Sequence, residues 1–598
     1  MININIPRKN KVIKTGRGKS LLRMLLDNDE FVEGPCGGRG TCGRCKIKHI
    51  SGKLPPPSKD EEKFLSKDEI CEGIRLACLI YPESDIEIDI LDQEKNHRVI
   101  TDGYLPDFNL SPSIWKRKFN IRKPTLEEPI TYEELFKREL GLDRLEFNIL
   151  KNIKMESGEF TAVFNEKRLI GLENGDTTDE TYGIAVDIGT TTVIASLVDL
   201  NTGDIVDNEA DINSQKNFGQ DVLTRITYVI EHGDKGIKEL QKSIVALLNK
   251  LVITLGKRNN INKDKIYNMT IGANSTMMHM LLGIESISLG KSPYAQIFSG
   301  ARNIDSIDIG LDCMSPFARV NTLPSVSSYI GADIVAGCYV TNLHNTNKRV
   351  LFIDIGTNGE IVLSNRGKLV SCSCAAGPAL EGMNISSGMR ASDGAIEEVE
   401  IREEEIKLQV IGDTKPIGLC GSGILAAVRE MLNHGLINKR GNIIKPDEIE
   451  SNDYRQKYIV VENNKRSVKI ANNIKITQGD VRQVQLAKSA ILSGFISLVR
   501  YAGLDMSDLD EVIVAGQFGS HLSAESLVGT GILPKDVKEK IRYIGNSSKT
   551  GAYLSLVSSD AVKEMDSLSK KIDYMELSVS EGYERLFVDC SRFNVSKP

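Results

Sequence analysis

The sequence lacks any long hydrophobic run. Across its 598 residues, no apolar stretch reaches the ~18 residues that a membrane helix requires. The first residues, MININIPRKN, have no apolar core of the kind that marks a secretory signal peptide. These absences predict a chain that does not span a membrane and stays in the cytoplasm.

An excess of positive charge is also missing. The formal net charge is −6, and a mildly acidic surface argues against non-specific binding to nucleic acid, whose phosphates attract basic proteins. What the chain does have is length, together with a hydrophobic content of 40%. At roughly 150 residues per domain, about four folding units are expected.

Cysteine is concentrated near the N-terminus. Of eleven cysteines, five lie between Cys36 and Cys78. In a long cytosolic chain, cysteines are more often ligands, catalysts or core residues than disulfides. Cys36, Cys42 and Cys45 have C-x5-C-x2-C spacing, and Cys78 follows further along.

This pattern predicts a [2Fe–2S] site, because the irons of such a cluster need four thiolates. Three close cysteines can wrap one edge of the cluster while the distant fourth completes the second iron. Glycines let the loop curl and turn its amides toward the sulfurs; these are Gly37, Gly38, Gly40 and Gly43. A structural zinc loop is the alternative, but zinc sites usually use paired C-x2-C units and only one is present. Cys71 is either a substitute ligand or a core residue.

The residues around these cysteines predict a β-grasp module. Two short strands, a helix capped by Ser20 and later strands at KIKHI and IEIDI give the expected order. The five-residue gap in the cysteine motif resembles adrenodoxin-type and putidaredoxin-type ferredoxins. We therefore expect a ferredoxin-like domain over 1–92.

The remaining chain divides into three predicted parts. Residues 93–112 are polar, contain proline and form an expected linker. A small α+β middle domain is expected over 113–180, with helices at 131–140 and 142–153 and a hairpin in EFTAVFNEKRLIGLE. Residues 181–598 have an α/β pattern.

This last part contains an internal repeat. GIAVDIGTTTVIASLVDLNTGDIV, from Gly183, matches RVLFIDIGTNGEIVLSNRGKLV, from Arg349, and each predicts strand, Gly-Thr turn, strand, turn and strand. Each copy is followed later by an apolar strand, a glycine turn and a helix. Two copies of one plan predict two lobes with a cleft between them, the second beginning near 349.

The two Asp-x-Gly-Thr turns carry the expected chemistry. Backbone amides and hydroxyls of such turns can bind phosphate oxygens, and an aspartate at the strand end can hold Mg²⁺ or orient water. Asp187 and Asp354 are the candidate catalytic residues. The candidate phosphate-binding residues are Gly189, Thr190, Thr191, Gly356, Thr357 and Asn358.

The pair of turns resembles the phosphate loops of the actin, hexokinase and Hsp70 superfamily. That resemblance implies a two-lobed actin-like ATPase fold whose loops clamp ATP. It also implies an adenosine site at glycine turns of the second lobe; the candidates are Gly421, Ser422, Gly423, Gly516, Phe518 and Gly519. Ordinary strand-to-helix turns are the alternative interpretation.

A ferredoxin-like module ahead of such a domain resembles the reductive activators of corrinoid-dependent methyltransferase systems. The similarity includes FGQDVLTRI, IGANSTMMHMLLG, CSCAAGPALEG, GLCGSGI and AGQFGSHL. It implies that the chain uses ATP and one electron from its cluster to convert inactive Co(II) corrinoid to Co(I) in a partner protein. It further implies an unidentified upstream electron donor, and it suggests a homodimer.

The energetics explain why ATP would be used. Moving one electron uphill costs about 1.4 kcal/mol for every 59 mV, and a plant-type cluster lies near −400 mV. A lower Co(I) potential therefore requires energy that a conformational change in a two-lobed domain can deliver. The alternatives are an activator of a radical dehydratase, a small-molecule kinase and a redox sensor that binds nucleotide without turnover.

Structural roles are the expected ones for several other residues. Cys372 and Cys374 lie among small apolar residues, which indicates packing, and Glu381 in the same run could approach the cleft. His279, on a Met-rich helix, is more typical of a core or an interface than of a ligand, and His521 is expected to be structural. The polar residues of the amphipathic helix 480–498 are Asp480, Arg482, Gln485 and Lys488. A solvent-facing position is the default expectation for them, and contact with nucleotide or with an interlobe surface is the alternative.

Overall fold

The structure is a computed structural model. It describes residues 1–9, 11–28, 30, 32, 38, 40, 43, 45–91, 103–153, 156–516 and 522–593. The predicted site residues Cys36, Cys42, Phe518 and Gly519, as well as Gly37 and His521, lie outside these described residues. Within the described part of the chain, no helix is long and apolar enough to cross a membrane.

The N-terminal residues form one five-stranded sheet, named here the ferredoxin-like module. Its elements are β1 (Ile2–Ile6), β2 (Lys11–Thr15), α1 (Leu21–Leu26), β3 (Lys46–Gly52), α2 (Lys67–Cys71), β4 (Ile74–Leu76) and β5 (Ile86–Ile90). The strand order is β2-β1-β5-β3-β4. Alternate isoleucines of β1 point into the core, and the Ser20 hydroxyl caps α1 by accepting from the Arg23 amide. The β-grasp prediction is confirmed.

The segment 103–112 lies against the C-terminal part of the chain. Residues 103–112, the described part of the predicted linker 93–112, form no helix or strand. The Tyr104 amide donates to Ile544 O at 2.8 Å, and the Ser111 amide donates to Val557 O at 2.9 Å. These contacts attach the segment to the C-terminal part of the chain.

A small three-stranded sheet follows. Its elements are β6 (Ile114–Ile121), α3 (Tyr132–Leu140), α4 (Phe147–Leu150), β7 (Gly158–Asn165) and β8 (Arg168–Asn174). The predicted hairpin is confirmed as β7 and β8. The helix predicted over 142–153 is wrong for most of its length, since only α4 is α-helical there.

The first copy of the repeat builds a six-stranded sheet, the centre of the N-terminal lobe. Its elements are β9 (Tyr182–Ile188), β10 (Thr192–Asp199), β11 (Ile205–Ile212), α5 (Val222–His232), α6 (Asp234–Arg258), β12 (Ile266–Ala273), α7 (Ser275–Leu282), β13 (Arg302–Asp305), β14 (Arg319–Thr322) and α8 (Ala332–Val340). The strand order is β11-β10-β9-β12-β14-β13, with β9 antiparallel to β10 and parallel to β12.

The second copy builds a matching sheet, the centre of the C-terminal lobe. The elements of this part of the chain are β15 (Arg349–Ile355), β16 (Gly359–Asn365), β17 (Lys368–Cys374), β18 (Ala395–Ile401), β19 (Ile406–Val410), β20 (Gly418–Leu419), α9 (Gly421–Asn433), β21 (Ile459–Glu462), β22 (Lys465–Lys469), β23 (Lys475–Thr477), α10 (Gln478–Tyr501), β24 (Glu511–Ala515), α11 (Ala524–Gly529), β25 (Ile541–Gly545), α12 (Ser547–Val557), α13 (Ser559–Ser569), β26 (Ile572–Tyr574) and α14 (Tyr583–Cys590). The central order is β25-β24-β15-β16-β17-β26.

The two central sheets share one connection pattern. In each, three successive antiparallel strands are followed by a later strand that pairs in parallel with the first, β12 beside β9 and β24 beside β15. The internal repeat read from the sequence is therefore a repeat of structure. Helix α12 belongs to the second copy but packs on β9 and β12 of the first copy. This helix therefore joins the two lobes.

Helix α10 corrects one expectation. Asp480, Gln485 and Lys488 were expected to face solvent, but all three are buried. The Lys488 ammonium donates to Arg592 O at 2.8 Å, and the Gln485 amide donates to Ser591 O at 2.8 Å. The C-terminal residues therefore supply partners for Gln485 and Lys488, while Asp480 accepts from the Ser386 and Thr477 amides. The local sequence pattern does not reveal these contacts.

Candidate functional site

A cavity of about 130 Å³ lies between the two lobes. It is lined by Asp187, Gly189, Thr190, Thr191, Thr192, Asn274, Asp333, Asp354, Ile355, Gly356, Thr357, Asn358, Glu360, Glu381, Gly516, Asn546 and Ser548. The predicted residues of both Asp-x-Gly-Thr turns are in this set. The structure therefore brings the two turns, far apart in sequence, to one site.

Each turn is closed by its own backbone. The Gly189 amide donates to Thr192 O at 2.9 Å, and the Gly356 amide donates to Asn358 O at 2.9 Å. Asp187 precedes the first turn near the end of β9, and Asp354 precedes the second near the end of β15. The repeat thus places an aspartate and a hydroxyl-bearing turn on each wall of the cleft.

The Asp187 carboxylate is held from the other lobe. Asn546 donates its side-chain amide to one carboxylate oxygen and Ser548 donates its hydroxyl to the other, each at 2.7 Å. Desolvation by the surrounding protein raises the pKa of Asp187, and these two hydrogen bonds counteract the shift. The contacts fix the orientation of the carboxylate toward the cavity.

Further carboxylates face the same space. Desolvation, with repulsion from Asp187, raises the pKa of Asp333 to about 7. Desolvation, with repulsion from Asp333 and Asp187, raises the pKa of Asp354 to about 8. The pKa of Glu360 is raised well above its usual value for the same reasons. A bound cation would relieve the repulsion between these carboxylates and favour their ionised forms.

The chemistry of these donors fits Mg²⁺ held together with phosphate. Among the described residues, no three acidic, histidine or cysteine side chains form a ready-made metal site. No residue in the described part of the chain donates a hydrogen bond to the Asp354 carboxylate. Mg²⁺ usually keeps several waters and takes one or two carboxylates plus substrate phosphates, so spaced carboxylates suit it.

Glu381 connects the two turns. Thr191 of the first turn donates its hydroxyl to Glu381 Oε2 at 3.1 Å. Thr357 of the second turn donates its hydroxyl to Glu381 Oε1. The two hydroxyls that were predicted to bind phosphate therefore share one buried carboxylate, which shows that they face each other across the cleft.

The first turn rests on a buried arginine. Arg225 of α5 donates to Thr190 O at 2.5 Å and to Gly219 O at 2.9 Å. Burial lowers its pKa to about 9, and no carboxylate of the described residues forms an ion pair with it. Asn274 adds a 3.2 Å hydrogen bond to the Thr190 hydroxyl. These contacts position the turn and leave a positive charge beneath it.

Of the two glycine turns predicted to bind adenosine, one has a residue in the cavity lining and the other does not. Gly516 lines the cavity with a φ of +94°, and a Cβ there would lie 2.4 Å from Asp354 Oδ1. Gly421 and Gly423 begin α9, where a Cβ would lie 1.8 Å from Leu380 O and 2.0 Å from Ile396 O. Ser422 lies between them. The two glycines pack against backbone, the Ser422 hydroxyl lies 3.2 Å from Cys420 Sγ, and none of the three residues lines the cavity.

The ferredoxin-like module brings two predicted cluster ligands together. Cys45 and Cys78 are both buried, and the Cys78 amide donates to Cys45 Sγ at 3.4 Å. Gly40 and Gly43 have φ values of +71° and +66°, and a Cβ at Gly43 would lie 2.6 Å from Phe64. This tight curl and the amide directed at sulfur suit a thiolate-bound [2Fe–2S] cluster. Cys71 is exposed.

Sequence reasoning missed several residues of the cleft. Asp333, Asn546 and Ser548 reach it from helix ends outside the repeated motif, and Glu360 lies on β16. The matching strand plan could have indicated Glu360, which lies two residues after Asn358 of the second turn. No local sequence signal marks Asn546 or Ser548. They reach Asp187 only because α12 packs on the sheet of the N-terminal lobe.

Other residues have the structural environments expected for them. His279 is buried, its Nδ1 lies 2.7 Å from Ser275 O, and its Nε2 accepts from the Ile297 amide at 3.2 Å. Cys372 and Cys374 are buried against α10. Burial raises the pKa of Cys372 well above its usual value, which makes it an unreactive thiol.

Comparison with protein families gives matches to three parts of the chain, which leave residues 84–181 unmatched. Residues 4–83 match the family described as a 2Fe-2S iron-sulfur cluster binding domain. Residues 182–346 match the RACo middle region, and residues 348–597 match the C-terminal domain of RACo, the ASKHA domain.

Individual relatives agree with this assignment. The chain is 31% identical to the corrinoid activation enzyme RamQ of Eubacterium limosum over 92% of each sequence. It is 24% identical to the [Co(II) methylated amine-specific corrinoid protein] reductase of Methanosarcina barkeri, over 68% of this chain and 76% of the relative. A solved structure of the reductive activator for corrinoid, iron-sulfur protein superposes with a TM-score of 0.71 at 31% identity, covering 99% of this chain and 98% of that one.

Proposed function

We propose an activity for this chain on the premise, established by the similarities above, that it belongs to the RACo family of reductive activators for corrinoid proteins. The chain activates a corrinoid protein by one-electron reduction, which returns inactive Co(II) corrinoid to the Co(I) state used in methyl transfer. ATP binding and hydrolysis in the interlobe cleft drive the process. An upstream donor must resupply the electron, and we propose that the protein works in the cytoplasm, where thiolates stay reduced.

The observation that carries the ATP proposal is the pair of hydroxyls that meet at Glu381. Thr191 and Thr357 come from the two copies of one turn, and both donate to the same carboxylate. Two hydroxyls from facing Gly-Thr turns that converge on one anion suit a chain of phosphates, which such turns can bind through hydroxyls and backbone amides.

The proposed roles follow from position. Gly189, Thr190 and Thr191 bind phosphate from the N-terminal lobe, and Gly356, Thr357 and Asn358 bind it from the C-terminal lobe. Asp187 and Asp354 organise Mg²⁺ and water, while Asp333, with its pKa raised to about 7, can take a proton from the attacking water. Gly516 gives the nucleotide close access beside Asp354. Gly421, Ser422, Gly423, Phe518 and Gly519 remain proposed adenosine contacts.

At the other end of the chain, Cys36, Cys42, Cys45 and Cys78 would hold the [2Fe–2S] cluster, which supplies one electron at low potential when bound. The protein's own contribution is to bury the Cys45 and Cys78 sulfurs and to direct the Cys78 amide at Cys45. An amide aimed at sulfur stabilises added negative charge, and it therefore tunes the reduction potential.

Asp187→Ala tests the nucleotide site. The variant should keep the visible absorbance of the cluster and lose ATP-dependent corrinoid reduction, because the carboxylate that faces the phosphate turn is gone. Asp204→Ala, on the exposed turn before β11, is the matched control and should behave as the wild type. An unchanged ATP response in Asp187→Ala would show that the phosphate-turn assignment is wrong.

A further inference from the structure

Arg23 of the ferredoxin-like module contacts the N-terminal lobe. Arg23, on the exposed side of α1, forms a 2.7 Å ion pair with Glu239 of α6 and a 3.3 Å hydrogen bond to the Tyr228 hydroxyl of α5. Its guanidinium also lies 5.8 Å from the centroid of the Phe218 ring. Three different types of contact thus converge on a single side chain.

The lobe side of this contact is prearranged. Tyr228 donates its hydroxyl to Glu239, and its ring meets Phe218 edge-on at 5.0 Å. Burial and the hydrogen bond to Glu239 raise the pKa of Tyr228 to about 12, so the hydroxyl keeps its proton. Within the module, Asp27 holds Arg23 with a second ion pair of 2.9 Å. An open pocket of about 390 Å³ borders these residues.

The same helix contacts the phosphate turn. Arg225 and Tyr228 are one helical turn apart on α5 and are therefore neighbours on its surface. Arg225 donates to Thr190 O of the first Asp-x-Gly-Thr turn, whereas Tyr228 contacts Arg23. A shift of the turn that displaces Arg225 must act on the helix that carries Tyr228.

Helix α1 extends the connection toward the cluster ligands. Arg23 faces the lobe, while Leu21 on the opposite side is buried and its amide donates to Ile80 O at 2.7 Å. Ile80 follows Cys78 by two residues. A single short helix therefore separates the lobe from a cluster-binding cysteine.

We propose that the surface formed by Phe218, Tyr228 and Glu239 is a docking site for the ferredoxin-like module, anchored by Arg23, and that α5 couples this docking to occupancy of the phosphate turn. The docking part stands on the contacts alone, and the coupling part rests on the proposed nucleotide site. Coupling of this kind links ATP binding to the position of the electron carrier.

Docking is tested first without nucleotide, by amide hydrogen exchange of α1 and α5 in the full-length protein. Arg23→Glu should raise exchange in both helices, and the charge swap Arg23→Glu with Glu239→Arg should restore protection. Lys14→Glu makes the same charge change on the exposed side of β2 and should change nothing. Wild-type exchange in Arg23→Glu, or a swap that restores nothing, would overturn the docking contact.

Coupling is tested by calorimetry of ATP binding to the same proteins, because linkage is reciprocal: if nucleotide alters docking, docking alters nucleotide affinity by the same factor. Arg23→Glu should change the Kd for ATP by at least about fivefold, within the usual range of allosteric coupling, and the swap should restore it. Arg23 does not line the nucleotide cavity, so an altered Kd reports coupling.

The experiments distinguish failure of the coupling proposal from failure of the proposed function. If the wild type binds ATP and Arg23→Glu binds it with the same Kd, coupling is overturned while the proposed function stands. If the wild type binds no ATP, the proposed function fails and coupling fails with it. The hydrogen-exchange result then decides docking by itself.

Discussion

Glu381 accepts a 3.1 Å hydrogen bond from the Thr191 hydroxyl, although Thr191 belongs to the N-terminal lobe and Glu381 follows β17 of the C-terminal lobe. The same carboxylate receives the Thr357 hydroxyl. A side-chain carboxylate thus occupies the hydroxyl donors that we assign to phosphate. Nucleotide binding would have to replace these contacts.

Glu381→Gln should therefore bind ATP more tightly than the wild type, by about threefold or more, because a negative charge beside the phosphates is removed. AMP, which lacks the β- and γ-phosphates, should show little change. Calorimetry with both nucleotides measures the difference. Glu400→Gln, on the exposed face of β18, serves as the matched control. Weaker ATP binding by Glu381→Gln would show that the carboxylate assists binding and does not compete with phosphate.

The cysteine assignment makes a separate prediction. Cys45→Ser should lose the visible absorbance of a [2Fe–2S] cluster, because a buried thiolate ligand is replaced by a hydroxyl. Cys71→Ser should keep it, since Cys71 is exposed at the end of α2. Absorption spectra of the two reconstituted variants provide the comparison. Equal cluster content in both would remove Cys45 from the ligand set.

The acidic cleft predicts how stability depends on pH. The pKa of Asp354 is raised to about 8 in the folded protein, whereas an unfolded aspartate titrates near 4. Between these values the folded state binds more protons than the unfolded state. The contribution of Asp354 to the free energy of unfolding therefore falls as pH rises from about 4 to about 8.

Asp354→Asn removes this titration. Without nucleotide and with a chelator present, the variant should gain thermal stability relative to the wild type at pH 8.5, and its advantage should shrink toward pH 4.5. Melting curves at the two pH values measure this. An advantage that is independent of pH would mean that Asp354 is ionised throughout the range.

The sequence predicted what local motifs and repeats encode. Asp187, Asp354 and the turn residues were found because each lies in a short pattern present twice, and the two central sheets followed from the same repeat. Ser20 and the strand pattern located the β-grasp elements for similar reasons. Local periodicity and capping determine such features with little help from distant contacts.

Residues that depend on distant contacts were not found. Asn546 reaches Asp187 from 359 positions away, and nothing near Asn546 in the sequence indicates that α12 packs on the other lobe. Lys488 looked like a solvent-facing residue of an amphipathic helix, but the C-terminal residues bury it. The stretch after Leu142 has helical composition, and it is mostly irregular in the folded chain because tertiary packing can override propensity.

ATP-driven reduction of a corrinoid partner is tested most directly by cobalt absorbance. Reconstituted protein, a reductant and a Co(II) corrinoid protein would be mixed anaerobically, with and without ATP. We expect the Co(I) spectrum only when ATP is present, and no Co(I) with Cys45→Ser. Equal Co(I) formation with and without ATP, or none with an intact cluster and bound nucleotide, would contradict the account.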